Sequence, residues 1–185
     1  MNSRNHFEFD KWTIEKASEL LSPQSVDCGD SDLNEYFHSQ CALFQKALMT
    51  QSYVFYETAD PLPIVWGAVD FCNDALPKEA IPGSSRRKIP HLKRGFETFP
   101  AVKITRLGIQ RKQQKCGIGT ALLTVIKHFF LEDNRTGCRF ITVDAYRGAV
   151  PFYEKNGFTR TLAPEDEDPE APTVSLFFDL SRIER

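Results

Sequence analysis

The chain has 185 residues, of which 41% are hydrophobic and 26% charged, and its formal net charge is -2. This composition is typical of one globular domain and excludes disordered and collagen-like chains. The 5 cysteines are odd in number and never form a CxxC pair, which disfavours a disulfide framework and a zinc site. The sequence lacks an apolar signal segment and any run of 18 apolar residues, so we expect a cytoplasmic protein without a membrane span.

The first half of the chain predicts a helix and then a β-hairpin. Apolar residues recur at helical spacing from Leu33 to Leu48, after candidate N-caps at residues 30–32. Two runs rich in β-branched and aromatic residues follow at 52–57 and 64–71. Prolines and glycines without a sustained period then predict a long irregular excursion over residues 73–99.

The second half predicts alternating strands and helices. We expect strands at 101–109, 139–145, 158–162 and 173–180, a helix with apolar positions 118, 122, 125 and 129, and a short helix over 149–157. This order predicts an α/β (α+β) fold with a mixed, twisted sheet of six to seven strands flanked by helices. The prediction is one domain that covers residues 1–185.

The most informative stretch is a strand end, a polar loop and two glycines that open a helix. Gln114 to Gly119 read Q-x-x-G-x-G. Unpaired amides at a helix start and the helix dipole stabilise phosphate, and Arg111, Lys112 and Lys115 add positive charge. The alternative is that Gly117 and Gly119 only close a tight turn. The pattern matches neither the Rossmann motif nor the P-loop.

The Q-x-x-G-x-G pattern resembles the acetyl-CoA diphosphate loop of the GNAT superfamily of N-acetyltransferases. Residues 149–158 contain A-x-x-F-Y-E-K-x-G-F, which resembles the segment that closes the same site in that superfamily. The two motifs occur in the right order, separated by one helix and one strand. The resemblance implies the GNAT fold, an acyltransferase, acetyl-CoA as cosubstrate and no metal.

The resemblance also implies residue roles. The main chain of Leu107, Gly108 and Ile109 would bind the pantetheine arm, and Tyr153 would protonate the leaving thiolate. An exposed helix start also makes Cys116 a candidate nucleophile, but no base accompanies it. The remaining cofactor-binding residues implied are Gln114, Lys115, Cys116, Gly117, Ile118, Gly119, Thr120, Ala149 and Phe152.

Shorter matches resemble one GNAT subgroup, the aminoacyl-tRNA-acetylating toxins of toxin–antitoxin pairs. They include Cys28-Gly29, Pro82-Gly83, Arg86-Arg87 and Arg106-Leu107. This resemblance implies Arg86, Arg87 and Arg106 as substrate residues and a ribbon-helix-helix antitoxin as partner. The sequence departs from the subgroup at Lys115, often glycine there, and at Gln110, often aspartate. A homodimer is common in the superfamily, but no feature of the sequence decides it.

No general base is evident. We expect Asp70, Glu97 and Asp144 to be solvated carboxylates, and the four histidines form no motif. An enzyme without a strong base suits an α-amine, which loses its proton more easily than a lysine amine. The acceptor is thus predicted to be the α-amine of an aminoacyl-tRNA or, as an alternative, a small-molecule or peptide amine. A non-catalytic acetyl-CoA-binding module is a further alternative.

The charge is unevenly distributed along the chain. Five acidic residues lie between 165 and 170, and setting them aside turns the net charge of -2 into +3. Cationic residues concentrate in 86–115, around the loop proposed to bind phosphate. The negative net charge therefore does not exclude an RNA partner.

Overall fold

The computed structural model describes residues 6–59, 61–89, 95–132, 134, 136–162 and 170–183. Within these residues eight strands form one mixed sheet with the order β1-β2-β3-β4-β5-β6-β8-β7, accompanied by helices. The strands are β1 His6–Phe9, β2 Trp12–Lys16, β3 Gln51–Glu57, β4 Gly67–Pro77, β5 Thr98–Ile109, β6 Phe140–Tyr146, β7 Thr159–Arg160 and β8 Thr173–Asp179. The helices are α1 Ser31–Glu35, α2 Cys41–Lys46, α3 Gly83–Arg86, α4 Ile118–Glu132 and α5 Val150–Lys155. The predicted α/β class is confirmed.

The sheet has eight strands, one more than the six to seven predicted allow, because an N-terminal hairpin was not foreseen. Strands β1 and β2 pair antiparallel, with Phe7 opposite Ile14. Asp10 makes the turn with φ of 57°, a left-handed conformation that short polar side chains tolerate. The alternation of buried Phe7 with exposed Glu8 is the available signal for this hairpin.

The chain divides into two compact units, of which unit 1 comprises Met1–Cys72 and Ile104–Asp133. Here β3 pairs antiparallel with both β2 and β4, which confirms the predicted β3–β4 hairpin. The Phe129 ring on α4 contacts the rings of Phe7 and Tyr53. The apolar face of α4 is buried as predicted, through Ile118, Leu122, Leu123, Val125, Ile126, Phe129 and Phe130.

The predicted helix after residue 30 forms in unit 1 with a wide turn inside it. Helix α1 continues into a five-residue π-helical turn at Tyr36–Gln40, and α2 follows. The Asp30 carboxylate caps α1 by accepting a hydrogen bond from the Leu33 amide at 3.0 Å. Tyr36 and Phe37 at the start of the wide turn are both buried. Wide turns of this kind are frequent at functional sites.

Unit 2 comprises Asn73–Lys103 and Asn134–Arg185. Strand β8 pairs antiparallel with β6 on one side and with β7 on the other. Helix α5 carries Pro151 in its first turn, and Gly157 with φ of 82° follows its end, as predicted. Apolar side chains from the strands and connecting segments form the core of unit 2, namely Leu76, Ile81, Ile89, Phe99, Ala101, Phe140 and Phe177.

The predicted excursion over 73–99 is too long at both ends. Strand β4 continues to Pro77, and β5 already begins at Thr98. A 3-10 turn at Lys78–Ala80 and helix α3 lie between them. Leu76 is buried in the core of unit 2, which favours the continuation of the strand. Pro77 was one of the residues that predicted the irregular excursion, because proline disfavours a strand interior. Residues 90–94 lie outside the described part of the chain.

Candidate active site

The segment from Leu107 to Thr120 has the strand–loop–helix conformation that the sequence predicts. After β5 a 3-10 turn covers Arg111–Gln113, and α4 begins at Ile118. The Ala121 amide donates to the Gly117 carbonyl oxygen at 3.0 Å, so the amides of residues 118–120 precede the first intrahelical bond. Gly117 has φ of 84°, which glycine adopts without strain. The loop therefore ends in an amide-rich helix start that favours an anion.

Two glutamines hold this loop against residues 25–28 of the same unit. Gln110 Nε2 donates to the Ser25 carbonyl at 2.7 Å, and Gln110 Oε1 accepts from the Asp27 amide at 3.2 Å. Gln114 Nε2 donates to the carbonyls of Cys28, at 2.7 Å, and Ile109, at 3.1 Å. Gln110, noted in the sequence only as a departure from the subgroup, thus has a structural role here. Both side-chain amide hydrogens of Gln114 are used within the protein, and its backbone N–H donates to the Arg111 carbonyl oxygen at 3.4 Å.

The loop carries its positive charge on exposed side chains. Arg111, Lys112 and Lys115 are all exposed, and Lys115 has φ of 63°. This left-handed conformation is one that glycine adopts more readily than lysine. Cys116 is a free, exposed thiol. Ile118 is buried, Gly119 is half-buried and Thr120 is exposed on the first turn of α4.

The strand segment Leu107–Ile109 lies against the wide helical turn. A Cβ at Gly108 would lie 2.7 Å from Cε2 of the buried Phe37 ring, so only glycine is accommodated. A Cβ at Gly67 of β4 would lie 2.8 Å from the Gly108 carbonyl oxygen. Gly108 is therefore closely approached by the Phe37 ring and by Gly67 within unit 1.

Tyr153, the predicted acid, lies on α5 in unit 2 and is 6% exposed. Its ring makes edge contacts with the rings of Phe152 and Phe158. Burial raises the pKa of the Tyr153 phenol above its ordinary value. The hydroxyl therefore stays protonated at neutral pH, as a proton donor must. Phe152 and Ala149, which flank it in the motif, are half-buried.

The predicted substrate arginines lie on different elements. Arg86 and Arg87, at and just after the end of α3 in unit 2, are exposed. Arg106 lies on β5 in unit 1 and is half-buried. Of the acidic residues between 165 and 170 only Glu170 falls within the described residues, where it is exposed.

The expectation that Asp70 on β4 is a solvated carboxylate is wrong. Asp70 is a candidate functional residue that the sequence did not identify. Its exposed fraction is 0%. The Tyr36 hydroxyl donates to Asp70 Oδ2 at 2.6 Å, and the Thr50 hydroxyl donates to the same oxygen at 3.0 Å. These bonds make burial of the carboxylate tolerable, while Oδ1 has no partner among the described residues. The available signal is a charged residue inside an apolar strand.

The other two carboxylates follow the expectation. Glu97 is exposed, and the Asp144 side chain, 41% exposed, forms an ion pair with Lys103.

Replacing Asp70 with asparagine is expected to change how stability depends on pH. Burial raises the pKa of Asp70, and the hydroxyls of Tyr36, Ser52 and Thr50 and the charge of Arg106 oppose this only in part. With a folded-state pKa above the unfolded value of about 3.9, the stability that Asp70 contributes is lost as the pH rises through the folded pKa. Asp70→Asn removes this titration, so the free energy of unfolding of the variant minus that of the parent should increase as the pH rises.

Urea denaturation of parent and variant at several pH values between about 4 and 7 measures this difference. The exposed Asp144→Asn, measured under the same conditions, is the matched control. A pH-independent difference for Asp70→Asn would contradict a raised pKa.

Among the described residues no group of three or more His, Cys, Asp or Glu side chains is arranged to hold a metal ion. In the same part of the chain, no helix combines the length and apolar character needed to cross a bilayer.

Comparisons with known proteins agree with this geometry. Residues 93–174 match the family model described as the acetyltransferase (GNAT) domain. No curated protein matches the sequence.

Several solved structures share the fold, among them the toxin AtaT. The chain is similar to a tyrosine-to-phenylalanine mutant of KacT, with a TM-score of 0.72 and 20% identity over 94% of this chain and 97% of that chain. It is similar to AtaT complexed with acetyl-methionyl-tRNA, with a TM-score of 0.72 and 22% identity over 92% and 96% of the two chains. For AtaTR bound with acetyl-CoA the TM-score is 0.69 and the identity 22%, over 94% and 96%. Residues 93–174 therefore match the acetyltransferase (GNAT) model, in agreement with the predicted resemblance, and the chain has the GNAT-like fold of these solved structures.

Proposed function

We propose that this protein transfers the acetyl group of acetyl-CoA to the α-amine of an aminoacyl-tRNA by direct attack. The conformation of Leu107–Thr120 is the observation that supports acetyl-CoA as cosubstrate. In this segment the closely packed Gly108 of β5 is followed by a basic loop that Gln114 holds by hydrogen bonds, and the loop ends at helix amides that precede the first intrahelical bond. The similarity to AtaT complexed with acetyl-methionyl-tRNA supports the acceptor. The proposal includes a single acetyltransferase domain, which is supported by strands β4 and β5 because each of them has residues in both units. It also includes a location in the cytoplasm.

In this proposal the loop holds the diphosphate of acetyl-CoA. The amides of residues 117–120 donate to phosphate oxygens, and the exposed Arg111, Lys112 and Lys115 neutralise their charge. The main chain of Leu107, Gly108 and Ile109 binds the pantetheine arm as an added strand would. Ala149 and Phe152 are also proposed to bind acetyl-CoA, as the resemblance implies. Cys116 contributes its backbone only, because no base accompanies its thiol in the loop.

Tyr153 is the proposed general acid. The acceptor nitrogen forms a bond to the thioester carbon, the carbon–sulfur bond breaks, and the sulfur takes the electron pair. The Tyr153 hydroxyl gives its proton to this sulfur and is reprotonated from solvent, and the proton of the amine leaves to solvent. The Tyr153 phenol is protonated at neutral pH and can therefore donate to the thiolate as it develops.

Exposed cations support an RNA acceptor. Arg86 and Arg87 present two adjacent positive charges on unit 2, and the basic loop presents three on unit 1. Binding through phosphate contacts predicts a steep loss of activity on charged tRNA as salt increases. An antitoxin partner belongs to the same proposal, supported by the similarity to AtaT bound to the C-terminus of AtaR.

The test is transfer of labelled acetyl from acetyl-CoA to charged tRNA, uncharged tRNA, free amino acids and short peptides, at low and high salt. We expect label only on charged tRNA, recovered as an N-acetyl amino acid after deacylation. Label on free amines but none on charged tRNA would instead establish a small-molecule or peptide acetyltransferase. Binding of acetyl-CoA without transfer to any acceptor would indicate a non-catalytic module.

A further inference from the structure

A short piece of unit 1 contacts both parts of the proposed acetyl-CoA site. The two parts are the pantetheine segment Leu107–Ile109 and the diphosphate loop Gln114–Thr120. Residues 27–37, which we call the bracing segment, lead through α1 into the wide turn. Near its start the Cys28 carbonyl oxygen accepts from Gln114 Nε2 at 2.7 Å, and at its end the Phe37 ring lies against Gly108. One continuous piece of chain thus contacts both parts.

Asn34 on α1 holds the end of the bracing segment that contacts the diphosphate loop. Its Oδ1 accepts from the Cys28 amide at 2.9 Å, and its Nδ2 donates to Asp27 Oδ1 at 2.8 Å. The carbonyl oxygens of these same two residues accept from the Arg111 amide at 2.7 Å and from Gln114 Nε2 at 2.7 Å. Asn34 therefore fixes the main chain to which the loop is bonded, although it does not belong to the loop.

Phe37 holds the other end of the bracing segment against β5. Its side chain is fully buried, and a Cβ at Gly108 would lie 2.7 Å from its Cε2 and 3.4 Å from its Cδ2. The adjacent Tyr36 donates to Asp70 Oδ2 at 2.6 Å, so the wide turn is tied to β4 while the Phe37 ring packs on the neighbouring strand. Because protein interiors are close-packed, a smaller side chain at position 37 would leave space into which Gly108 can move.

The proposed cofactor contacts come mostly from the main chain of these two parts. A side chain can rotate to meet a ligand, but a main-chain amide is placed only by the segment that carries it. A segment that is ordered before the ligand binds loses less conformational entropy on binding, which increases affinity. Asn34 and Phe37 order the two parts separately, since Asn34 acts through residues 27 and 28 and Phe37 through Gly108.

We propose that Asn34 and Phe37 are positioning residues of the acetyl-CoA site, Asn34 for the diphosphate loop and Phe37 for the pantetheine segment. The inference rests on the proposed function for the identity of the ligand. It assigns each residue to one portion of the cofactor, so a cofactor fragment separates the two roles. Adenosine 3′-phosphate 5′-diphosphate is such a fragment, because it keeps the nucleotide and diphosphate of CoA and lacks the pantetheine arm.

The experiment measures the dissociation constants of CoA and of this nucleotide by calorimetry, for the full-length parent and its variants. The nucleotide constant divided by the CoA constant reports what the pantetheine arm contributes. For Phe37→Leu we expect this ratio to fall about tenfold, while the nucleotide constant changes by less than about twofold. For Asn34→Ala we expect both constants to rise by the same factor, about fivefold or more, so that the ratio is retained.

Two variants in unit 2 are the matched controls. Phe140→Leu changes a phenylalanine that is 1% exposed in the core of that unit. Asn134→Ala removes an asparagine whose Nδ2 donates to the Cys138 carbonyl oxygen at 2.7 Å. Melting temperatures show whether each control loses stability comparable to that of its counterpart in the bracing segment. Both controls should bind CoA and the nucleotide as the parent does.

The outcomes separate positioning from general stability. An equal fall of the ratio in Phe140→Leu and Phe37→Leu would overturn the role of Phe37, and unchanged constants in Asn34→Ala would overturn that of Asn34. If Phe37→Leu does not fold, Phe37→Met, which is closer in volume, is expected to change the ratio in the same direction. A parent that binds both ligands while every variant keeps its constants refutes this inference alone. A parent that binds neither ligand refutes the proposed function and this inference with it.

Discussion

Replacing Tyr153 with phenylalanine is expected to lower kcat by about 100-fold or more while the dissociation constant for acetyl-CoA changes by less than about twofold. The phenol gives a proton to the thiolate only as the thiolate forms, so its loss acts on the transition state rather than on cofactor binding. Rapid-quench turnover and equilibrium binding of acetyl-CoA measure the two quantities. Because the buried ring keeps its contacts with Phe152 and Phe158, the melting temperature should be retained.

Tyr53→Phe is the matched control for this change. The half-buried Tyr53 ring packs against Phe71 and Phe129 in unit 1, so the variant loses a hydroxyl without touching the proposed cofactor segments. We expect its turnover to equal that of the parent. Unchanged turnover in Tyr153→Phe as well would remove Tyr153 from the mechanism.

Replacing Gly67 with alanine is expected to lower the free energy of unfolding by about 1–3 kcal/mol through overpacking. The added Cβ would lie 2.8 Å from the Gly108 carbonyl oxygen and 2.9 Å from Ile109 Cδ1, so the backbone of β5 must move. For a chain of this size each kcal/mol lowers the melting temperature by about 2–4 °C. Since Gly108 belongs to the proposed pantetheine segment, the KM for acetyl-CoA should rise in the same variant.

Gly83→Ala, at the start of α3, provides the comparison. A Cβ there meets no atom within 4 Å, and alanine is the better helix former. Calorimetry should therefore find a melting temperature equal to or slightly above that of the parent. If Gly67→Ala melts at the same temperature as Gly83→Ala, the close approach of β4 and β5 is not rigid.

Elements with a strong local pattern could be predicted from the sequence. Helix α4 shows apolar residues at helical spacing, and β8 is a run of β-branched and aromatic residues, so packing only confirms what their patterns indicate. The β1–β2 hairpin and the continuation of β4 to Pro77 could not be predicted in the same way. Both depend on neighbouring strands that supply hydrogen bonds, a contribution that no local window contains.

The candidate site likewise has one part that a local sequence pattern predicts and one part that only the folded chain brings together. The loop from Gln114 to Thr120 is contiguous, so its spacing identified it. Asp70, Tyr36 and Thr50 are far apart in sequence and meet only because β3 pairs with β4 while the helical segment covers that pair. The burial of Asp70 is a property of that assembly, which is why an isolated aspartate in a strand was predicted to be solvated.

The wide turn at Tyr36–Gln40 makes this arrangement depend on chain length as well as on residue type. An α-helix rotates by about 100° per residue, so deleting one residue here would rotate the helical residues before the deletion relative to those after it, and Tyr36 would lose its direction toward Asp70 if α2 kept its place. For a relative that lacks the extra residue, a sequence alignment without a gap at this turn would pair Tyr36 with a residue on another face of the helix. Relatives of this chain should therefore be compared with a one-residue gap permitted between 36 and 40 before their residue facing Asp70 is assigned.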